Sequence, residues 1–374
     1  MGISQRWYDL VSDPDPGPAG LVAQAGLSII SQGYRLGVVA NRWIFESGLL
    51  LRKSLPCPVI SVGNITLGGT GKTTASAFVA RRLLARGVVP AVILRGHGRE
   101  ARAPLMVSDG RDVIAGADEA GDEAVMLGNL APGAIVAVGR WREAVGEMIL
   151  DTTEAEAVIL DDGFQYFRLH RDLDIVLLDA LRPLTSAAPV FPRGVLREPA
   201  HNLQRADQLW ITHSDLAGCD GVSQTKAFAA GAAPGVPFVE TVHRPVGLRP
   251  LAGEGDRLSP TFVRGKQVAA VSGIGNPVAF ELTLRRLGAA GLTPIRYPDH
   301  HHYSASDADD ILRRGESSDL IVTTEKDAVR LPAAVGASGK AYVLRVEMEV
   351  ATNEDLVNSA LDRALARRSG DETG

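Results

Sequence analysis

Cysteine is nearly absent from the chain, uninterrupted apolar runs are short, and no excess of positive charge exists. Two cysteines, Cys57 and Cys219, stand far apart among 374 residues. That number and spacing exclude a disulfide framework or a cysteine-built zinc site, and a reducing cytosol fits. The formal charge of -5 leaves no electrostatic footprint for wrapping a phosphate backbone, so no general nucleic-acid binding is expected. The first twenty residues hold no apolar run after a basic start, so no secretory signal is expected. From Leu21 to Leu51 the chain is largely apolar, but Gln24, Gln32, Arg35, Asn41, Arg42 and Glu46 interrupt it. No stretch reaches the ~18 apolar residues of a membrane span. Internal repeats and low-complexity tracts are also missing.

What remains is ample core material, 45% hydrophobic against 22% charged residues, over a length that favours two domains. Apolar runs alternate with helical patterns: PVISVG (58–63), a helix over 73–86 stopped by Gly87, PAVIL (90–94), AIVAV (134–138), AVILDD (157–162), DIVLLD (174–179) and QLWITH (208–213). Continuous apolar runs of this kind belong to parallel strands covered on both faces. A second set begins near Val268, with a helix over 278–287, PIRY, a helix over 305–314, DLIVTT and AYVLRVE. Between the sets, Pro234, Pro237, Pro245, Pro250 and many glycines suggest a linker. The expected organisation is an α/β fold: an N-terminal amphipathic segment (1–54), a P-loop domain with a mostly parallel sheet (55–228), a linker (229–265), a smaller α/β domain (266–350), and a C-terminal helix with a polar tail (351–374).

The strongest local signal is GNITLGGTGKTT, residues 63–74, between a predicted strand and a predicted helix. Glycines 68, 69 and 71 let backbone N–H groups close around a phosphate, and a helix N-terminus adds roughly half a positive charge. Gly68, Gly69, Thr70, Gly71, Lys72, Thr73 and Thr74 thus form a nucleotide-phosphate cradle. In it Lys72 reaches the β/γ-phosphates and Thr73 offers its hydroxyl to Mg2+. The strict spacing asks for glycine at 66 and finds Thr66. Asp161 and Asp162 end a buried strand; alone they read as a turn, but beside GGTGKT they read as a Mg2+ site.

Nine motifs in order resemble those of the tetraacyldisaccharide 4'-kinases of lipid A biosynthesis: PVISVGNITLGGTGKT, LRGHGR, GDE, LDDGFQ with HRDLDIVLLD, FPRGVLREP, GIGNP, YPDHHHY and TTEKDAVRL. The resemblance implies ATP-dependent phosphorylation of the 4'-hydroxyl of a tetraacylated glucosamine disaccharide 1-phosphate. It implies ATP and Mg2+ as cofactors, an acylated disaccharide lipid as partner, and a peripheral or monotopic place on the cytoplasmic face of the inner membrane. By position it implies a catalytic dyad of Asp122 and His300 with Lys72, and substrate or phosphate contacts from Glu123, Arg95, Gln165, Arg197 and Glu198. A further arginine falls on Arg142 or Arg140. Thr74, Leu94 with His97, and Tyr166 depart from the family pattern without removing a catalytic role.

The bland readings stand beside these. Asp122 in DEAGDEAV reads alone as a solvated helix-start acid, and Arg197 as a surface ion pair with Glu198. Three adjacent histidines, 300–302, cannot face one ion, so an orienting or proton-relaying role for one of them is the better reading. GIGNP lacks the spacing of a dinucleotide loop and suits a turn before a helix. Tyr34, Trp43 and Phe45 among Arg35, Arg42, Arg52 and Lys53 suit an interfacial helix, with packing on the core as the competitor. A regulatory ATPase or GTPase switch is the rival function, but Leu67 stands where the partitioning ATPases carry lysine. THSD (212–215) is a poor GTP-reading motif.

Overall fold

A computed structural model describes residues 7, 10–11, 17–96, 103–185, 188–253 and 257–369; His97 lies outside them. Among the described residues twelve strands form one sheet. In chain order they are β1 (Val59–Asn64), β2 (Pro90–Leu94), β3 (Leu105–Asp109), β4 (Ile135–Val138), β5 (Ala157–Asp161), β6 (Leu173–Asp179), β7 (Gln208–Thr212), β8 (Phe238–Pro250), β9 (Gln267–Ser272), β10 (Gly291–Arg296), β11 (Leu320–Thr324) and β12 (Ala341–Thr352). Across the sheet they run β10-β9-β11-β12-β8-β7-β6-β1-β5-β2-β4-β3. Neighbours are parallel except β3 against β4 and β8 against β12. The helices that matter here are α1 (Gly17–Glu46), α2 (Lys72–Leu84), α3 (Asp122–Leu130), α4 (Arg142–Thr152), α5 (Gly218–Ala232), α6 (Pro277–Arg286), α7 (Ala305–Arg314) and α8 (Glu354–Ser369).

β1, β2, β4, β5, β6 and β7 are buried along their whole length, as strands covered on both faces must be. β1 sits between β5 and β6, so the loop after β1 and the acidic end of β5 emerge side by side. This is the crevice at the carboxyl ends of parallel strands where α/β proteins bind ligands.

The expectation for 229–265 is corrected here: its middle is β8, a 13-residue strand, so the two halves share one sheet. The prolines fit because β7 pairs β8 only from Phe238 to Glu240. Pro245 meets β12 at a register shift between Arg345 and Val346, where a missing N–H leaves no regular ladder bond unmade. α8 returns to the first half, burying Val357, Leu361 and Ala364 in its core and pairing Asp362 with Arg86 of the loop after α2 at 2.9 Å.

α1 is built inside out. Its buried residues are Gln24 and Ser31, and polar side chains pin it to the body. Ser31 donates to the Val190 carbonyl at 2.6 Å, Arg193 donates to Gln24 at 2.9 Å, and Arg42 donates to Asn202 at 2.6 Å. Leu21, Val22, Ile29, Ile30, Leu36, Val39 and Trp43 face outward, followed by Leu49, Leu50 and Leu51. Among the described residues no helix is long and apolar enough to cross a membrane.

Candidate active site

The loop between β1 and α2 closes tightly because two glycines allow it. Gly71, the residue before α2, has φ 84°, and a Cβ there would lie 2.6 Å from the His243 ring. A Cβ on Gly275 of the GIGNP turn would lie 2.3 Å from the Gly69 amide nitrogen, so the turn's bare backbone packs on the phosphate loop. Asn276 caps α6, its side chain accepting from the Ala279 amide. Thr66 answers the missing glycine: it bridges to Leu196, while Leu67 donates to the Val195 carbonyl at 2.8 Å and Arg197 donates to the Ile65 carbonyl at 2.7 Å. Residue 66 is held extended by the FPRGVLREP segment, a conformation that needs no glycine.

Lys72 Nζ lies 3.6 Å from Asp162. Arg197 donates to both Asp162 oxygens at 2.7 and 2.9 Å. Burial pushes Asp162 up, but Lys72, Arg197 and Arg142 outweigh it and hold the carboxyl at about 2. Its neighbour differs: burial, with Glu123 and Asp162 nearby, pushes Asp161 up to about 7 against the hydroxyl of Ser76 and the charge of Lys72. Asp161 accepts from Ser76 at 2.8 Å and from Thr73 at 3.4 Å. An under-compensated buried carboxylate beside the first hydroxyl of α2 suits a Mg2+ ion, which takes one or two carboxylates plus phosphate oxygens and water.

Across the cleft, Asp122 opens α3 and His300 lies in the loop between β10 and α7. The residues expected to form a dyad do meet, with Asp122 Oδ2 3.3 Å from His300 Nδ1 and 3.4 Å from Arg330 Nε. Neither contact is aligned as a hydrogen bond, and among the described residues this buried oxygen has no such partner. Burial pushes Asp122 up, but His300, Lys326 and Arg330 hold it at about 2. His300 has φ 58° and Asp162 φ 56°; left-handed backbone at non-glycine residues costs of order 1–3 kcal/mol and gathers at functional sites.

A cavity of about 450 Å3 joins these groups. Gly68 to Thr74, Arg95, Asp122, Glu123, Asp161, Asp162, Arg197 and His300 all line it. Gln165, Glu198 and Arg142 lie behind this lining. Glu198 is fully buried and accepts from Gln165, Asn202 and Arg205, bracing the segment that presents Arg197. Arg142, under its neighbour Tyr166, donates to the Asp162 carbonyl at 3.4 Å, while Arg140 is exposed over Trp141. Arg142 is therefore the arginine beside the acidic pair. In THSD, His213 bonds Asp179 at 2.8 Å and stacks on His243. That ring pair under the phosphate loop escaped the sequence reading, as did Lys326 and Arg330, whose motif was noticed without a role.

Fold and site together define a P-loop phosphotransferase with a charged wall facing its phosphate loop. The sequence profile of a family described as Tetraacyldisaccharide-1-P 4'-kinase matches residues 23–366. A tetraacyldisaccharide 4'-kinase of Anaeromyxobacter sp. (strain Fw109-5) is 40% identical over 355 residues, 94% of each chain. One of Syntrophus aciditrophicus (strain SB) is 37% identical over 371 residues, covering 97% of this chain and 99% of its own. The crystal structure of LpxK from Aquifex aeolicus in complex with ATP superposes with a TM-score of 0.72 at 26% identity, covering 92% of this chain and 99% of that one. The chain belongs to the tetraacyldisaccharide-1-phosphate 4'-kinase family, and the regulatory-switch reading is set aside.

Proposed function

We propose that the cleft moves the γ-phosphoryl group of ATP to the 4'-hydroxyl of a tetraacylated glucosamine disaccharide 1-phosphate, yielding the 1,4'-bisphosphate and ADP. The observation that supports this most is the shared cavity: a phosphate cradle on one wall faces a buried, ionised carboxylate on the other. In this reading the Asp122 carboxylate takes the hydroxyl proton as the sugar oxygen bonds to the γ-phosphorus. The bond from that phosphorus to the β–γ bridging oxygen breaks, and ADP keeps its electron pair. Lys72 and Arg197 meet the charge on the transferring group, and Arg95 and Glu123 contact the substrates. Thr73, Asp161 and Asp162 would hold Mg2+, which when bound neutralises phosphate charge.

The membrane surface enters through α1. Its outward apolar face, continued by Leu49 to Leu51, fits the lipid–water boundary where an acylated substrate resides. Because polar contacts fasten the helix to the body, the apolar face is free for lipid. The test is nucleotide turnover with and without the acylated disaccharide 1-phosphate. Strong stimulation with ATP, and little with GTP, is expected; turnover indifferent to the lipid would refute the proposal.

A further inference from the structure

We propose that Arg52, Arg140, Trp141 and Arg168 form a second membrane contact, which takes the anionic headgroups of the bilayer while α1 takes its apolar boundary. The inference rests on the reading of α1 as lipid-facing and adds to it the contact that turns the body of the protein toward the surface.

Stretches far apart in sequence meet here. After α1 the chain turns back, Leu50 donating to the Ile44 carbonyl at 3.2 Å, and Leu49 to Leu51 are left exposed. Lys53 donates to the Arg168 carbonyl and His170 to the Lys53 carbonyl, each at 2.8 Å, so the exposed leucines lead directly into a segment that runs beside Arg168. Phe45 of α1 stacks on Phe167, ring centroids 6.4 Å apart. Arg168 then reaches the loop between β4 and α4, where its guanidinium lies 4.6 Å from the Trp141 ring centroid and that of Arg140 lies 5.2 Å from it. The indole is 44% exposed.

The patch is built and charged. Cations over an indole hold it in place even in water, and Arg168 is itself fixed by Glu143 at 3.1 Å, a buried carboxylate that also accepts from Tyr166. Lys53 pairs with Glu147 at the surface. Arg52 and Arg140 are exposed, and among the described residues neither forms an ion pair with a carboxylate. The cluster therefore carries surplus positive charge on a chain whose formal charge is -5.

The occupant follows from the mixture. Exposed arginines, an exposed indole and Leu49 to Leu51 side by side ask for a surface that is both anionic and apolar, as the headgroup boundary of a bilayer is. A nucleic acid would take the arginines and leave the leucines in water. None of these residues lines the cavity, so the anions met here lie outside the cleft. The functional consequence is orientation. A single helix on the membrane leaves the body free to roll about the helix axis. A second contact fixes that roll, and Trp141 directly precedes Arg142, which donates to the Asp162 carbonyl.

The test is co-sedimentation of the full chain with vesicles of phosphatidylcholine alone or mixed with phosphatidylglycerol. The wild type should bind the mixed vesicles more tightly, and the gain should fade in high salt. Arg52→Gln with Arg140→Gln should lower partitioning to mixed vesicles about thirtyfold, about fivefold for each arginine, and leave binding to phosphatidylcholine unchanged. Trp141→Ala alters only an exposed ring and should weaken binding to both vesicles severalfold, which keeps the test valid if the arginine variant fails to fold. In neutral detergent micelles the KM for an acylated disaccharide 1-phosphate should stay at the wild-type value in the arginine variant. An equal gain from phosphatidylglycerol in wild type and arginine variant would overturn the proposal. So would a raised KM in neutral micelles, because the arginines would then serve the substrate's own phosphate. Ile29→Glu with Trp43→Glu tests α1 separately: it should weaken binding to both vesicles while the gain from phosphatidylglycerol persists. Unchanged binding there would remove the α1 reading and leave the arginine result standing on its own.

Discussion

Replacing Asp122 with asparagine removes the proposed base while keeping its size, so the cost should fall on turnover and not on nucleotide affinity. General base catalysis contributes ~10²–10⁴-fold, and a base works best with a pKa near the operating pH. Asp122 is held at about 2 by His300, Lys326 and Arg330, which makes it a weak base and moves the expected loss to the lower part of that range. A fall in kcat of about 10²–10³-fold follows, about 3–4 kcal/mol of barrier. The KM for ATP should not rise, because the groups that hold this carboxylate, His300, Lys326 and Arg330, lie outside the phosphate loop. Steady-state rates with each substrate varied in turn are the assay. A loss of less than tenfold, or an ATP KM rising in step with the loss, would refute the reasoning. The variant also carries a stability signature. Folded Asp122 titrates below its unfolded value, so its charge stabilises the fold above about pH 4 and that contribution is lost as pH falls toward about 2. Asp122→Asn should flatten that acid-side slope in denaturant titrations.

Lys72→Ala should lower kcat about 10²–10³-fold with an unchanged circular dichroism spectrum; near-normal turnover would remove the phosphate-loop assignment. Asp161 titrates in the opposite sense to Asp122: its folded value of about 7 lies above its unfolded one, so without metal the fold loses stability as pH rises from about 4 to 7. Asp161→Asn should therefore raise the metal-free melting temperature at pH 8 while abolishing Mg2+-dependent turnover, and adding Mg2+ should raise the wild-type melting temperature more at pH 8 than at pH 6. Ile29→Glu with Trp43→Glu should release the protein from sedimenting anionic vesicles without changing its melting temperature, since both side chains face outward; unchanged sedimentation would return α1 to a purely structural part.

Most of the sheet was legible because strands buried on both faces are written as unbroken apolar runs, as in PAVIL and DIVLLD. β8 was not, because its prolines resemble a linker until it is known that β7 pairs with it only from Phe238 to Glu240. β3 escaped because it is a short edge strand with one half-exposed end. The phosphate cradle was readable from local chemistry alone: glycines, lysine and threonine must stand together to hold a phosphate. Asp122 and His300 were readable only through the family resemblance, since nothing local reveals that residues so distant in sequence meet. Lys326 and Arg330 carry no local signal either, as their meaning lies in what faces them across the cleft. Glu198 was named through the resemblance as a contact residue; it is fully buried and braces the segment that carries Arg197, which lines the cavity.

The central claim is chemical, and the lipid product tests it directly. The purified protein is incubated with Mg-ATP and a tetraacylated disaccharide 1-phosphate, and the lipid is analysed by mass spectrometry and phosphorus NMR. The account predicts one added phosphate, carried as a monoester at the 4' position, with ADP formed in equal amount. ATP consumed while the lipid stays unmodified, or phosphate found at any other position, would contradict it.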